Sequence, residues 1–233
     1  MTKDIIVDLS EPLIAVGGGT LFAGDLALAQ TVATAVVAAD SGADYAMSEM
    51  LQLMAVIGDL DSISPATRAR VPQDRIHHIA EQDSTDFDKV LRSVSCPVVI
   101  AVGFSGGRLD HELAVLNTLV RRFWQPVVVL TEKDVVFHCP KSIVLGLGVG
   151  TRVSLFPMKT VMGRSTGLQW PIDGLEFAPD GQIGTSNRAS AASVTLEMDG
   201  TGMLCVVPRA FIQQVVSALL ALPERARWPV PAV

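Results

Sequence analysis

Between about residue 13 and residue 130, short apolar runs alternate with stretches of helical periodicity. This order is typical of a parallel β-sheet whose strands are joined by crossover helices. The sequence predicts six strands, at 13–16, 35–38, 55–57, 76–79, 98–102 and 127–130. It predicts five helices between them, near 25–31, 45–51, 65–70, 86–93 and 109–122. We therefore expect residues 1–132 to form an α/β domain with a doubly wound, mostly parallel sheet.

The last of these helices carries leucine and valine at helical spacing, namely Leu109, Leu113, Leu116 and Val120. This spacing predicts that one face of the helix packs on the sheet.

The pattern changes after residue 132. Short β-type runs at 135–139, 143–147, 152–156 and 194–198 are separated by frequent glycines, which is typical of a β-sandwich or an open barrel. Residues 210–222 then have helical spacing, with Phe211, Val215, Leu219 and Leu222 on one face. We expect residues 133–233 to form a β-sandwich domain with a terminal helix.

Composition excludes several classes of protein. The formal net charge is −6 and there is no basic cluster, so the electrostatic signature of a nucleic-acid-binding protein is absent. No apolar run approaches the roughly 20 residues that cross a bilayer, and the first residues do not resemble a secretory signal. The three cysteines are widely spaced in apolar surroundings, which favours free thiols. We expect a cytoplasmic protein that binds neither membrane nor nucleic acid.

Acidic or glycine-rich segments follow five of the predicted strands. In a doubly wound sheet these segments meet at the carboxyl edge, where ligands bind. They are Gly17-Gly18-Gly19, Ala39-Asp40-Ser41-Gly42-Ala43, Gly58-Asp59-Leu60-Asp61-Ser62, Gln82-Asp83-Ser84-Thr85-Asp86, and the segment from Gly103 to His111.

Asp59 and Asp61 flank a single residue, so in an extended loop both carboxylates point the same way. With Asp86 from the next loop they would repel one another unless a cation lies between them. Mg²⁺ accepts one or two carboxylates and completes its ligand shell with water and substrate phosphates. Each acid taken alone could instead cap a helix or a turn. Their joint occurrence at one sheet edge favours a magnesium site.

The glycines Gly106 and Gly107 allow the backbone to approach a ligand closely. Arg108 and the start of the following helix then offer donors to a phosphate. Asp110 and His111 occupy the first turn of that helix, and His111 could equally be a structural hydrogen-bonding residue.

Taken in order, these segments resemble the motif series of thiamin pyrophosphokinases. The resemblance continues with Thr166-Gly167-Leu168-Gln169-Trp170 and Gly184-Thr185-Ser186-Asn187, which are similar to the thiamin-side signature of that family. It spans roughly residues 15 to 207. Two positions depart from the usual pattern, namely Ser41 and Gly184.

The resemblance implies an ATP-binding α/β catalytic domain, a thiamin-binding β-sandwich, and a homodimer with active sites shared between subunits. It implies that pyrophosphate passes from ATP to the hydroxyl of thiamin. The residues that match the family's metal ligands are Asp59, Asp61 and Asp86. Those that match other acids of the cleft are Asp40 and Asp110. Arg108 matches the phosphate contact and Gln82 matches a residue near the thiamin pyrimidine. Trp170, Ser186 and Asn187 match the thiamin side, although Trp170 could also be a core residue.

Two other functions compete with this interpretation. A haloacid-dehalogenase-type phosphatase also uses an Asp-x-Asp pair, but that class places the pair after the first strand and needs a lysine, and we expect no lysine near Asp59. A nucleotide-sensing regulatory module would share the two domains and lack turnover.

Overall fold

The computed structural model describes residues 5–231. The fold is mixed α/β and combines a large mixed sheet with further antiparallel strands. Contacts divide the described chain into two units. The first unit runs to Thr118 and includes Val129–Thr131, and the second comprises Leu119–Val128 and the chain from Glu132 onward. Among residues 5–231, no helix is both long enough and apolar enough to cross a membrane.

Up to residue 130 the chain forms eight strands and five helices. The strands are β1 Val7–Asp8, β2 Leu13–Val16, β3 Ala35–Ala39, β4 Ala55–Gly58, β5 Ile76–His78, β6 Val94–Ser95, β7 Val99–Val102 and β8 Val127–Leu130. The helices are α1 Asp25–Gln30, α2 Gly42–Ser48, α3 Pro65–Arg70, α4 Asp86–Ser93 and α5 Leu109–Arg121. All six predicted strands are confirmed to within one residue at each end, and α2 begins three residues before its predicted start.

The first unit contains a parallel sheet in the order β7-β2-β3-β4-β5. The strands β7, β2, β3 and β4 are almost completely buried, because helices cover a parallel sheet on both faces, whereas the edge strand β5 is partly exposed. The chain leaves β2 for β3 on one side and returns to β7 on the other. The loops after β2 and β7 therefore diverge, and such a switch point is where doubly wound sheets form a ligand crevice.

The predicted buried face of α5 is confirmed only at the C-terminal end of the helix, where Val120 is buried, and is wrong in the first two turns. Leu109 is 68% exposed and Leu113 is 54% exposed, whereas Val115 and Leu119 are buried. The first turns of α5 extend beside the cleft described below, so only the later turns bury apolar side chains.

The second unit contains two antiparallel sheets, in the orders β14-β11-β16-β9 and β10-β15-β12-β13. Its strands are β9 Asp134–His138, β10 Ser142–Leu145, β11 Arg152–Pro157, β12 Val161–Thr166, β13 Glu176–Phe177, β14 Gly184–Arg188, β15 Val194–Met198 and β16 Met203–Pro208. The prediction contains β9, β10, β11 and β15 and omits the other four. The terminal helix is confirmed as α6, Ile212–Leu220, with Val215 and Leu219 buried.

Candidate active site

A cleft of about 800 Å³ lies at the carboxyl end of the parallel sheet, where the loops after β2 and β7 diverge. All of its lining residues belong to the first unit. They come from all five loops that the sequence analysis selected, together with Tyr45 of α2 and the starts of α4 and α5. Among them are Gly18, Gly19, Asp40, Ser41, Asp59, Gln82, Asp86, Lys89, Gly107, Arg108 and Glu112.

Three carboxylates converge at this edge of the sheet. Asp40, Asp59 and Asp61 each offer an oxygen, and these oxygens lie within 4.8 Å of one another. The expected extended loop is wrong, because Leu60 between the two aspartates has a φ of 61°. This left-handed residue turns the chain sharply, so the Asp59 and Asp61 oxygens converge through a kink. Asp40 also has a positive φ, 44°, at the end of β3.

Asp40 is buried and receives the backbone N–H of Ser62 on both carboxylate oxygens, at 3.3 and 3.2 Å. Burial, supported by the negative charges of Asp86, Asp59 and Asp61, raises the pKa of Asp40 to about 6. Burial is the larger cause, and the smaller contribution of the three neighbouring carboxylates indicates a negative field at Asp40.

Lys89 is the main site residue that the sequence analysis missed. Its side chain is only 2% exposed, and its Nζ lies 3.4 Å from Asp59 Oδ2 and 3.2 Å from Asp86 Oδ1. The expectation that no lysine lies near Asp59 is therefore wrong. Lys89 follows Asp86 by three residues on α4, which places both on one face of the helix. The sequence signal for this pair is the spacing of three residues between an acid and a lysine in one predicted helix.

These contacts shift the pKa values of Asp59 and Lys89. Although burial raises it, the pKa of Asp59 is lowered because the Gln82 amide and the Lys89 ammonium bond to the carboxylate. Burial lowers the pKa of Lys89, but Asp86 and Asp59 outweigh burial and raise it. The lysine therefore stays protonated while buried.

The loop before α4 is held by several hydrogen bonds. Gln82 Nε2 donates to Asp59 Oδ2 at 3.1 Å. Thr85 is the N-cap of α4 and accepts from the backbone N–H of Asp88 at 3.3 Å. The capping role that the sequence left open therefore belongs to Thr85, and Asp86 is free to contact Lys89.

Ser41, one of the two departures from the family pattern, packs against the glycine loop after β2. A β-carbon added at Gly18 would overlap the Ser41 hydroxyl, and one added at Gly42 would overlap the carbonyl oxygen of Val16. Glycine at both positions therefore allows the loops after β2 and β3 to approach closely.

The predicted phosphate donors are held by carboxylates of the same segment. Glu112 Oε1 accepts from the backbone N–H groups of Gly106 at 2.5 Å and of Gly107 at 3.2 Å. Arg108 donates to Asp110 through Nε at 3.1 Å and through its terminal nitrogen at 2.6 Å. Both groups that the sequence assigned to an anion thus bind an internal anion. Sequence reasoning did not single out Glu112.

In the second unit, the segment 167–170 lies beside β14. Trp170 is 54% exposed, whereas Asn187 is buried and binds the backbone of Trp170. Ser186 has a φ of 62°, and the register between β11 and β14 shifts between Val153 and Leu155. Ser186, Asn187 and Trp170 are therefore brought together by one irregular strand.

A family model described as "Thiamin pyrophosphokinase, catalytic domain" matches residues 27–130. That range contains the aspartate cluster, Lys89 and the segment from Gly106 to Glu112. Thiamine pyrophosphokinase 1 of Oryza sativa subsp. japonica is 25% identical over 197 residues, which are 70% of this chain and 75% of the rice protein. Residues 27–130 are therefore similar to the catalytic domain of thiamin pyrophosphokinases. Thiamine pyrophosphokinase 1 of Arabidopsis thaliana is 30% identical over 135 residues, 51% of each protein.

Solved structures of thiamin pyrophosphokinases share the fold. That of Geobacillus thermodenitrificans has a TM-score of 0.70 at 22% identity and covers 84% of this chain and 96% of its own. That of Candida albicans has a TM-score of 0.72 at 16% identity, with coverages of 87% and 93%. The match to the family model ends at residue 130, before the segment that carries Trp170.

Proposed function

We propose that this chain is a thiamin pyrophosphokinase, which transfers the terminal pyrophosphoryl group of ATP to the hydroxyl of thiamin and releases AMP. The observation that carries the proposal is the cleft of the first unit, in which Asp40, Asp59 and Asp61 converge beside a buried Lys89. This arrangement falls inside the range that matches the family's catalytic domain.

The chemistry needs positioning and charge compensation more than covalent catalysis. The thiamin oxygen attacks the β-phosphorus of ATP and the bond to the α-phosphate oxygen breaks, so AMP leaves with the electron pair. We assign the loops around Gly18 and Gly107 to the polyphosphate, because Gly18, Gly19 and Gly107 have no side chain between their backbone and the cleft. Arg108 adds a positive charge at the rim, since it lines the same cleft.

The donor set fits a hard divalent cation. Asp40, Asp59 and Asp61 offer carboxylate oxygens close to one another, and the mutual repulsion of these negative charges supports a cation among them. We propose Mg²⁺ as the cofactor, held by Asp59 and Asp61 with Asp86 or Asp40 as the third acid. When bound, it would neutralise charge on the transferred phosphates.

Lys89 holds the Asp59 and Asp86 carboxylates together before any cation binds, because it contacts both. It keeps two of the proposed metal ligands in place at the floor of the cleft. Asp110 contacts Arg108 and therefore orients the phosphate donor at the rim. No residue of the cleft is assigned here as a general base.

The thiamin side is assigned to Gln82, Trp170, Ser186 and Asn187. The thiazolium is a permanent cation, and the face of an indole attracts such a cation by about 1–2 kcal/mol when both are desolvated. The indole of Trp170 is half-exposed and so is accessible to a ligand. Gln82 already bonds to Asp59, which places it beside the proposed metal ligands.

We further propose a homodimer in which Asp59 of one subunit and Trp170 of the other serve one site. Asp59→Asn and Trp170→Ala are each expected to be nearly inactive, but co-refolded equal amounts give hybrids with one intact site. With random pairing the mixture should recover roughly a quarter of wild-type activity. Activity that stays at the level of the separate variants, with hybrids confirmed by native mass spectrometry, would contradict the shared site.

We propose the division into an ATP-binding domain, residues 1–132, and a thiamin-binding β-sandwich, residues 133–233. The two antiparallel sheets of the second unit support the latter. A cytoplasmic location is proposed because all three cysteines are free thiols.

A product assay with ATP, Mg²⁺ and thiamin tests the main proposal. The expected products are AMP and thiamin diphosphate, in equal amounts. ADP with thiamin monophosphate would show phosphoryl transfer and contradict the proposal. Binding of ATP without any turnover would favour the regulatory module, and release of inorganic phosphate from a phosphomonoester would favour the phosphatase.

A further inference from the structure

Asn187 contacts Trp170 through both ends of its side-chain amide. Its Oδ1 accepts from the backbone N–H of Trp170 at 3.3 Å, and its Nδ2 donates to the Trp170 carbonyl at 2.7 Å. Oδ1 also accepts from the backbone N–H of Arg188 at 2.7 Å. Three of the four hydrogen-bonding positions of the side chain are therefore taken by the backbone around it, and Asn187 is only 8% exposed.

The geometry explains why a side chain makes these bonds. Residues 167–169 run antiparallel to 188–190 through ordinary backbone bonds, from Ser190 N–H to Gly167 O at 2.8 Å and from Gln169 N–H to Arg188 O at 2.7 Å. Immediately before Asn187, Ser186 has a left-handed conformation and the register between β14 and β11 shifts. The backbone of β14 is therefore irregular at this point. The Asn187 amide, which has the donor and acceptor of a peptide group, continues the ladder by one residue.

The consequence is an exposed ring on a fixed backbone. Both polar backbone groups of Trp170 are held, while 54% of the residue remains exposed. A half-exposed tryptophan on a free loop would lose conformational entropy on binding a ligand, whereas one on an anchored peptide loses less. The Asn187 amide is buried and uses three of its four hydrogen-bonding positions on the backbone of Trp170 and Arg188, so its contacts serve the loop.

We propose that Asn187 is a positioning residue, which fixes the Trp170 peptide so that the indole is ready to stack on the thiazolium and which does not itself contact thiamin. This inference rests on the proposed function, because it takes thiamin as the ligand of Trp170. It differs from the resemblance, which places Asn187 on the thiamin side without separating direct contact from support.

The same loop provides a matched control. Ser165 Oγ accepts from the backbone N–H of Ile172 at 3.1 Å, two residues beyond Trp170. Ser165→Ala therefore removes one hydrogen bond from the same loop and leaves the Trp170 peptide untouched. It separates general loosening of the loop from loss of the Trp170 anchor.

The test is a double-mutant cycle between Asn187→Ala and Trp170→Ala, read as kcat, as KM for thiamin and for ATP, and as thiamin affinity by calorimetry. Asn187→Ala is expected to raise the KM for thiamin about tenfold, with kcat changed by less than about threefold and the KM for ATP unchanged. The double variant should bind thiamin no worse than Trp170→Ala alone, because the anchor has no value once the ring is gone. Ser165→Ala should stay within about twofold of wild type.

Effects that multiply in the double variant would overturn the proposal, since Asn187 would then act independently of Trp170. So would an unchanged KM for thiamin, or an equal rise in Ser165→Ala. If Asn187→Ala does not fold, Asn187→Asp carries the same cycle, because it is isosteric and keeps the acceptor for the Trp170 N–H. A wild type that binds thiamin without making thiamin diphosphate would contradict the proposed function while the calorimetric cycle still decides this inference, and a wild type that does not bind thiamin would overturn both.

Discussion

The two units bury different kinds of polar group. Among the described residues, the buried aspartate and lysine side chains all lie in the first unit. They are Asp25, Asp40, Asp88 and Lys89. The buried polar side chains from Glu132 onward are His138, Ser154 and Asn187. Serine and asparagine are neutral, and His138 is neutral at pH 7 because burial and Lys159 lower its pKa to about 4. The first unit thus arranges charge for a phosphate substrate. The second fixes a loop with neutral hydrogen bonds.

The difference has an energetic basis. A buried charge is tolerated only when it is paired, and removing one partner leaves the other charge uncompensated. A neutral group costs much less when a partner is lost. Substitutions in the first unit should therefore have larger effects on stability and more dependence on cations than those in the second.

The largest effect is expected for Lys89→Met. Without the ammonium, Asp59 and Asp86 repel each other beside a buried methionine, so the free energy of unfolding should fall by about 3 kcal/mol in the absence of divalent cations. Mg²⁺ should restore more stability in this variant than in wild type, because the lysine no longer competes for the carboxylates. Thermal unfolding with and without Mg²⁺ measures both, and Lys141→Met, at an exposed lysine, is the control. An equal Mg²⁺ response in wild type and variant would contradict the assigned pairing.

Single changes of Asp59, Asp61 or Asp86 to Asn should each lower kcat at least about 100-fold, because each removes charge that holds the cation at the transferred group. Folding should survive, since the amide keeps the side-chain volume. Asp40→Asn belongs in the same series, because the structure groups Asp40 with Asp59 and Asp61. The Mg²⁺ dependence of turnover decides between Asp40 and Asp86 as the third acid. Near-normal turnover of the first three variants at saturating Mg²⁺ would show that these acids only hold Lys89 and the surrounding loops.

The second unit should respond to acid through His138. Burial and, to a lesser degree, Lys159 lower its pKa to about 4, and its Nε2 accepts from the Gly202 N–H at 2.8 Å. Because the folded pKa lies below the unfolded value of about 6.5, the neutral ring stabilises the fold above pH 6.5. That stability is lost as the pH falls towards 4, with about 2 kcal/mol gone at pH 5. Urea unfolding at pH 7 and 5 measures the loss, and His138→Gln should show a smaller loss. An equal loss in the variant would assign the acid sensitivity elsewhere.

The smallest effect is expected for Glu112→Ala. Its carboxylate occupies the backbone donors of Gly106 and Gly107, so its removal frees two donors and takes one negative charge from an acidic cleft. The KM for ATP should fall about threefold, with kcat unchanged. The KM for ATP of Glu112→Gln, which keeps an acceptor oxygen, should lie between the values of Glu112→Ala and wild type. A higher KM in Glu112→Ala would show that the contact builds the loop and does not compete with phosphate.

More of the first unit than of the second could be predicted from the sequence. In the first unit, a buried parallel sheet requires continuous apolar strands, and its carboxyl edge gathers the loops, so Asp40, Asp59 and Asp86 could be placed near one cleft from the sequence. Lys89 was missed because it lies inside a helix. In the second unit, β14 is mostly polar and its shape depends on a left-handed Ser186, which periodicity does not reveal.

The left-handed backbone at Asp40, Leu60 and Ser186 bears on how the protein would change under laboratory evolution. Four described residues other than glycine have positive φ, and three of them are these site positions, while the fourth, Met50, lies outside the active-site cleft. Each such conformation costs of order 1 kcal/mol, which glycine would relieve. Selection for heat resistance alone would therefore accept glycine at Met50 at no cost to turnover and would also favour it at Asp40, where the carboxylate is lost. Alternating rounds of heat and activity selection would keep the first change and reject the second.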